Sequence, residues 1–546
     1  MAKDLKENYI ELEVTIEDQY VNENINLLGY VPNSLNKNLI LYPFINVANS
    51  TLYIDNKKID NFSLIQQFSH AGIFHVKIEI SELLSDLSYI FFLCLFTTKI
   101  DLSHLNMENV KTMEAAFAGC ENLIEINLGN INAAKINYLD GAFSDCPNLE
   151  EIIGIEKLNT SNVIDFELLF KNCLSLTKLD LSNWNTQNVT NMSSMFYGCE
   201  NLIELNLENW DACQVEDMSS MFKGCLSLSL LNLNNFRTSN IVNMSELFSA
   251  CENLTTLDLS SFKTENLLDM SFMFSRCRNL IDIDLSSFDT SSVENMSGLF
   301  KYCEKLSEIN LDNFKTDNVC NFEDMFSNCI NLKELNLNKF KTDKAIFMRF
   351  MFQDCINLSK LLIDNFNTTN CAHFNHMFKN CKNLKELKVN HFNIENGLIL
   401  CNMFENCENL TELNLSNFKT KRALNMTEMF KNCKNLKKLD ISNFTGDKTF
   451  MLSHIFLGLD NLEEIKAPLS FMEIAKIYEN EIEFDNIIYS DNTSLKTYRR
   501  NVVDIFSNSV KIIEIDAITN NEKILFECDI KTFIETPSEL YGKFVL

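Results

Sequence analysis

An α/β solenoid of about 15 turns of 26 residues, with a parallel sheet on a concave face and short helices on a convex one, is the fold this sequence predicts. Three observations predict it. Fourteen of the 19 cysteines (Cys94, Cys120, Cys146, Cys173, Cys199, Cys225, Cys251, Cys277, Cys303, Cys329, Cys355, Cys381, Cys407 and Cys433) are spaced 26 apart, save one 27-residue step from Cys146 to Cys173. Each turn carries an L-x-L stretch, such as Leu205 and Leu207 between Glu204, Asn206 and Glu208, with the period of a half-buried strand. Later in the turn the period changes: Val215, Met218, Phe222 and Cys225 are spaced 3, 4 and 3, as on one face of a short helix.

The elements follow in chain order. Residues 1–86 lack the repeat and read as a β-rich N-terminal domain, with strands expected over 8–16, 50–54 and 72–80, covering the open edge of the first turn. Residues 87–468 are the solenoid, each turn running strand, aromatic corner, short helix and cap. Asp217, and Asn191, Asn243, Asp269, Asn295 and Asn425 in other turns, stand where helix N-caps would. The residue before the cysteine is often Gly or Asn (Gly119, Asn172, Gly198, Gly224, Asn328, Asn380, Asn406, Asn432), types that tolerate a left-handed backbone. Residues 469–546 read as a C-terminal cap or small α+β domain, with strands over 510–518 and 523–528. Because a single turn buries too little to fold alone, stacking and caps at both ends are required. Strands stack at ~4.8 Å and helices at ~8 to 10 Å, so a helical return arm would be the longer arc and leave the sheet inside a curve; tighter 3₁₀ turns would flatten it.

The skeleton L-x-x-L-x-L-x-x-[FW] identifies the array as leucine-rich repeats, and its phase in NMSSMFYGC-ENLIELNLENW (residues 191–210) and NMSELFSAC-ENLTTLDLSSFKT (residues 243–264) resembles the BspA-type, or mycoplasma-lipoprotein-type, repeat of bacterial and protist surface proteins. That resemblance implies a leucine-rich-repeat solenoid without catalysis and, in many members, attachment to a cell surface and binding to host or matrix proteins. Such members usually carry a signal peptide, lipid-acceptor cysteine or anchor, and residues 1–7 show none.

Composition narrows the function. A net charge of −28, from 47 Lys and Arg against 75 Asp and Glu, repels phosphate backbones and argues against a nucleic-acid partner. The basic group of Lys496, Arg499 and Arg500 is local and reads as a solvated face. No apolar run is long enough to span a membrane. The cysteine ladder reads as small buried packing residues, with Leu459 in the same place in the last turn; an odd total without framework spacing argues against disulfides and for a reducing compartment. Cys371, His373 and His376, with Cys401 one turn on, are the only tight Cys/His group and lack a recognised metal spacing. Catalytic and phosphate-binding motifs are missing, Cys528 reads as structural, and no cofactor or metal is expected.

The row with functional promise is the outward residue between the strand leucines: Asp180, Asn206, Asn232, Asp258, Asp284, Asn310, Asn336, Leu362, Lys388, Asn414 and Asp440. At about 5 Å per rung it forms a polar ladder on the inner face. Leu362 and Lys388 interrupt it, beside Lys360 and Glu386, in a row where packing does not require them. Asp258, Asp284, Asn310, Asn336, Lys360, Leu362, Glu386 and Lys388 are therefore the candidate partner-binding residues. The expected function is a cytoplasmic, non-enzymatic scaffold presenting its concave face to a protein partner. The alternative is a cell-surface adhesin exported by a route the sequence does not show, and an activity in the C-terminal region ranks last. Exposed cap edges would allow self-association.

Overall fold

The structure, a computed structural model, describes residues 8–32, 39–41, 45, 48–129, 134–446, 448–449, 451–478, 487–489, 499–506, 509–516 and 522–529. Residues 1–7 and Lys496, which bear on the signal and basic-cluster readings, lie outside them, as do the last residues of the strand expected over 510–518. The chain divides into two compact units, Met1–Phe314 and Lys315–Leu546.

In the first unit the three expected N-terminal strands form, as Tyr9–Ile16, Ser50–Ile54 and Gly72–Ile80. Tyr9–Ile16 lies antiparallel between Gly72–Ile80, with Leu12 opposite Val76, and Thr97–Asp101, with Leu12 opposite Ile100. Thr97–Asp101 then runs parallel to Glu125–Asn127, and that strand to Glu151–Ile153. The N-terminal strand thus hydrogen-bonds the edge of the first coil, which would otherwise offer unpaired N–H and C=O groups. Further on, Lys178–Asp180 pairs in register with Glu204–Asn206, placing Leu179 on Leu205.

The second unit repeats the pattern. Glu334–Asn336 pairs with Lys360–Leu362, and Glu412–Asn414, Lys438–Asp440, Glu464–Ala467 and Ile487–Tyr489 form a parallel sheet. Helix Leu469–Tyr478 closes the last coil: Phe471, Met472, Ile474 and Ala475 are buried, and Phe471 meets Phe444 edge-on at 5.4 Å. The expected C-terminal strands are Ser509–Asp516 and Glu522–Asp529, the first lying antiparallel between Arg499–Phe506 and the second. Cys528 lies on the last strand, and Arg499 and Arg500 open the first.

The return arm corrects the sequence reading. Among the described residues no coil carries a helix on it; it is a run of overlapping turns. In one coil Met195, Tyr197 and Cys199 donate N–H to the carbonyls of Met192, Ser194 and Phe196, three residues back, at 3.1 to 3.3 Å. The alternate residues Met192, Ser194, Phe196 and Gly198 donate instead to Asp217, Ser219, Met221 and Lys223 of the next coil, at 2.7 to 2.9 Å. A helix about 10 Å across needs return arms spaced about twice as far apart as the strands, whereas these turns bond coil to coil at the strand rise. The same 3-4-3 spacing serves both arrangements, which is why the apolar period pointed to a helix. With it goes the packing argument for a helix-driven curve. The fold is a repeat β-solenoid rather than α/β.

Two residues per coil are left-handed. The residue before the cysteine is one, as expected where it is Gly or Asn, with φ of 72° at Gly198 and 56° at Asn172, but it is equally left-handed at Leu93, Ala250, Arg276 and Tyr302. The other lies four residues earlier and is Leu168, Ser194, Ser220, Glu246, Phe272, Gly298 or His376 in different coils, so residue type gave no signal for it.

Inside each unit identical side chains stack. Phe91, Phe117, Phe143, Phe170, Phe196, Phe222, Phe248, Phe274 and Phe300 lie near-parallel with centroids 5.2 to 5.8 Å apart. Trp184, Trp210, Phe236, Phe262 and Phe288 form a second stack at 6.2 to 6.4 Å. The ladder cysteines are buried beside them, and their thiols bond to the Phe carbonyl of the preceding coil: Cys225 Sγ donates to Phe196 O at 3.2 Å, Cys251 Sγ to Phe222 O at 3.1 Å and Cys407 Sγ to Phe378 O at 3.1 Å. Phe196 O also accepts the Cys199 N–H, so the thiol of the next coil fills the second lone pair of a buried carbonyl. Cysteine is therefore a small apolar residue that also donates weakly. The corner threonines do more. Thr186 Oγ1 donates to Asp211 O at 2.9 Å and accepts from Asp211 N at 2.8 Å, and Thr238, Thr316 and Thr342 make the same pair.

Burial pushes the thiols of Cys199, Cys277 and Cys433 up to about 12. In native protein at pH 8, alkylation followed by peptide mass mapping should therefore label the half-exposed Cys213 well before any ladder cysteine from Cys94 to Cys433, and the ladder only after denaturation. Thr186→Val, which keeps the shape and leaves both polar groups of Asp211 unmet, should lower unfolding stability by roughly 1 to 3 kcal/mol in denaturant titration.

Candidate interaction surface

The outward row of the strand face is built from turns. Where a strand ends, the Asp or Asn side chain accepts the N–H two residues on: Asp180 from Ser182 at 3.1 Å, Asp258 from Ser260 at 3.0 Å, Asp284 from Ser286 at 2.9 Å, Asn310 from Asp312 at 3.0 Å and Asn336 from Asn338 at 3.1 Å. These are Asx turns, so the Asp/Asn preference of the row has a local backbone cause. The row expected to supply helix N-caps makes the same bond: Asp217 accepts Ser219 N at 2.7 Å and Asn243 accepts Ser245 N at 3.0 Å. A third row at the aromatic corner does likewise, as in Asn185 with Gln187 N at 3.0 Å. Sequence reasoning missed this common role, although the recurrence of Asp and Asn at three fixed places per repeat was its signal.

The Asx bonds hold the carboxyls of Asp258 and Asp284 below their ordinary value, the Ser260 hydroxyl leading at the first and the Ser286 N–H at the second. Both remain exposed, with one oxygen engaged in the turn.

In the row immediately before each strand leucine, a Lys recurs among Glu residues and pairs with the Glu of a neighbouring coil. Lys99 meets Glu125 at 3.4 Å and Lys178 meets Glu204 at 2.8 Å in the first unit; Lys360 meets Glu334 at 3.2 Å and Lys438 meets Glu412 at 3.5 Å in the second. Such exposed pairs are worth only ~0 to 1 kcal/mol each, but they neutralise the face. In the first unit no Lys returns to this row after Lys178, where Glu204, Leu230, Thr256, Asp282 and Glu308 follow in successive coils. There an open groove of about 570 Å³ is lined by Asp282, Asp284, Ser286, Glu308, Asn310 and Asp312, with no basic side chain among its lining residues. Regular strand pairing is also absent over 230–310 among the described residues.

The structure brings Asp284 and Asn310 together in this groove, with Asp258 one coil before. The other candidates lie in the second unit. Lys360 is paired with Glu334, and Lys388 with Glu386 at 3.5 Å. Leu362 is half-buried, and the N–H that an Asx residue there would hold, that of Asp364, is taken by Asn338 Oδ1 of the preceding coil at 2.8 Å. A neighbour's side chain thus repairs the interrupted ladder.

The Cys/His group does not converge. The buried Cys371 thiol is directed at the His373 carbonyl at 3.5 Å, His373 stacks on Phe347 at 5.3 Å and His376 on Phe350 at 4.8 Å. Burial, then Arg349, lowers the His373 pKa, and burial, then Lys379, takes His376 down to about 4. Among the described residues no group of three or more His, Cys, Asp or Glu side chains is placed to hold a metal, and no helix is long and apolar enough to cross a membrane.

The repeat is matched by the family described as Mycoplasma protein of unknown function, DUF285, in five overlapping segments, residues 85–205, 176–282, 200–308, 269–386 and 356–467. No curated protein matches the chain.

Because the folded carboxyls of Asp258 and Asp284 titrate below their unfolded value, their contribution to stability is present above the ordinary carboxylate range and is lost as pH falls through the folded pKa. Asn accepts the same turn bond without titrating, as Asn310 does. Asp258→Asn with Asp284→Asn should therefore flatten the fall in melting temperature on the acid side, below about pH 4, while leaving the neutral-pH value nearly unchanged.

Proposed function

The chain belongs to this Mycoplasma repeat family, whose matches run over residues 85–467 of its 546, and from that premise we propose that it is a non-enzymatic protein–protein interaction scaffold. The observation that carries the reading is the acidic groove on the strand face at Asp282, Asp284, Glu308 and Asp312, whose lining holds no Lys or Arg. Its partner presents a basic or polar protein surface, and a net charge of −28 draws such a partner in at long range. Asp258 and Asn310 extend the same polar row, and Asn336, Lys360, Leu362, Glu386 and Lys388 offer a second, mixed patch in the other unit. Buried thiols without a disulfide among the described residues support a reducing, cytoplasmic setting. The BspA-type likeness of the repeat supports the other reading, a surface adhesin.

Partner capture from source lysate tests the scaffold and its placement. A partner retained by the full chain at low salt, released as salt rises, and lost with Asp282→Lys plus Glu308→Lys would support the groove. Loss with Leu362→Asp plus Lys388→Glu instead would move the contact to the second unit, and a partner indifferent to both pairs would sink the strand-face reading. Protease treatment of intact cells decides the compartment: protection until lysis fits the internal scaffold, and cleavage before lysis fits the adhesin.

A further inference from the structure

Away from the strand-face groove, a cavity of about 370 Å³ opens where the N-terminal strand meets the first coils, a volume typical of small-ligand pockets. Tyr20 reaches it from the 3₁₀ turn Asp18–Tyr20 that follows strand Tyr9–Ile16. Its ring meets Phe96 edge-on at 4.9 Å. Leu95 and Ile124 also line the cavity, and with Tyr20 they are large apolar side chains left 38 to 39% exposed. The polar part of the lining is acidic: Glu17, Glu121 and Glu150 contribute carboxylates, and no Lys, Arg or His lines it.

The walls are held by the backbone. Thr15 N–H donates to Phe96 O at 2.9 Å, Asn122 Nδ2 to Leu95 O at 2.7 Å and Asn148 Nδ2 to Glu121 O at 2.7 Å. Glu17 accepts from the neutral Gln19 amide at 2.9 Å, which leaves its charge uncompensated. A neutral apolar ligand would cover these carboxylates without a counter-charge, and an anion would be repelled by them. An apolar stem ending in a cation meets both halves of the lining.

We propose that this cavity receives the cationic side chain of a Lys or Arg residue on a protein partner, its stem along Leu95 and Ile124 and its head among Glu17, Glu121 and Glu150 against the rings of Tyr20 and Phe96. The site stands independently of the strand-face groove.

Saturation-transfer NMR on the full chain tests it, with Nα-acetyl-arginine methylamide and Nα-acetyl-lysine methylamide as probes and the citrulline and norleucine analogues as their uncharged counterparts. A dissociation constant on the order of millimolar is expected for at least one cation, with little transfer to the neutral analogues. Glu121→Gln with Glu150→Gln, an isosteric surface change, should weaken binding by about fivefold or more. Asp282→Asn with Glu308→Gln in the strand-face groove should leave it unchanged. Equal transfer to the neutral analogues, no transfer to either cation, or loss of binding through the strand-face pair instead would overturn the proposal.

Discussion

Successive coils of this protein rise by about 5 Å, and within that rise every buried polar backbone group must find a partner in its own coil or the next. A helix would satisfy its groups internally but would need return arms spaced about twice as far apart as the strands. The return arm therefore shares its N–H groups alternately, one to a carbonyl three residues back and the next to the neighbouring coil, as at Met195 and Phe196. What remains is met by side chains: the cysteine thiols on the Phe carbonyls, the threonine hydroxyls on both groups of a corner residue, and the asparagine amides on carbonyls one coil earlier, as Asn201 on Leu174 O at 2.9 Å.

That constraint also orders the surface. Stacking places each side chain against its counterpart 26 residues away, so like charges on neighbouring rungs oppose each other and opposite ones pair. Lys178 with Glu204 and Lys360 with Glu334 follow from this. At Asp282 and Glu308 acidic residues stand on successive rungs with no basic side chain in the groove's lining, and a charge cluster that packing does not require is where a binding role is expected.

The ends of the ladder meet the same demand differently. At the start, strand Tyr9–Ile16 supplies hydrogen bonds to the edge strand Thr97–Asp101 and, in doing so, brings Tyr20 over Phe96 and forms a cavity. In the second unit, helix Leu469–Tyr478 covers apolar core with Phe471 and Ile474. Closing an edge and creating a recess are here one event.

The repeat length, the strand leucines, the buried cysteines, the aromatic corner and, in the coils where it is Gly or Asn, the left-handed residue before the cysteine were legible in the sequence, because each is a local preference repeated at one spacing. The polar row containing Asp258, Asp284, Asn310 and Asn336 was legible as a row, but its cause was not, since an Asx bond to the N–H two residues on shows only in the folded turn. The helices expected on the return arm did not form, because a 3-4-3 apolar spacing fits overlapping turns equally well and only the rise between coils chooses between them. The second left-handed position, occupied by residues as different as Leu168, Glu246 and Phe272, is imposed wholly by that stacking. Composition and period by themselves determined a coiled repeat with a uniform interior. Which charges are paired across coils, where the pairing stops and where a cavity opens were decided by tertiary structure, because each depends on residues brought together by the rise between coils or by the closing of an edge.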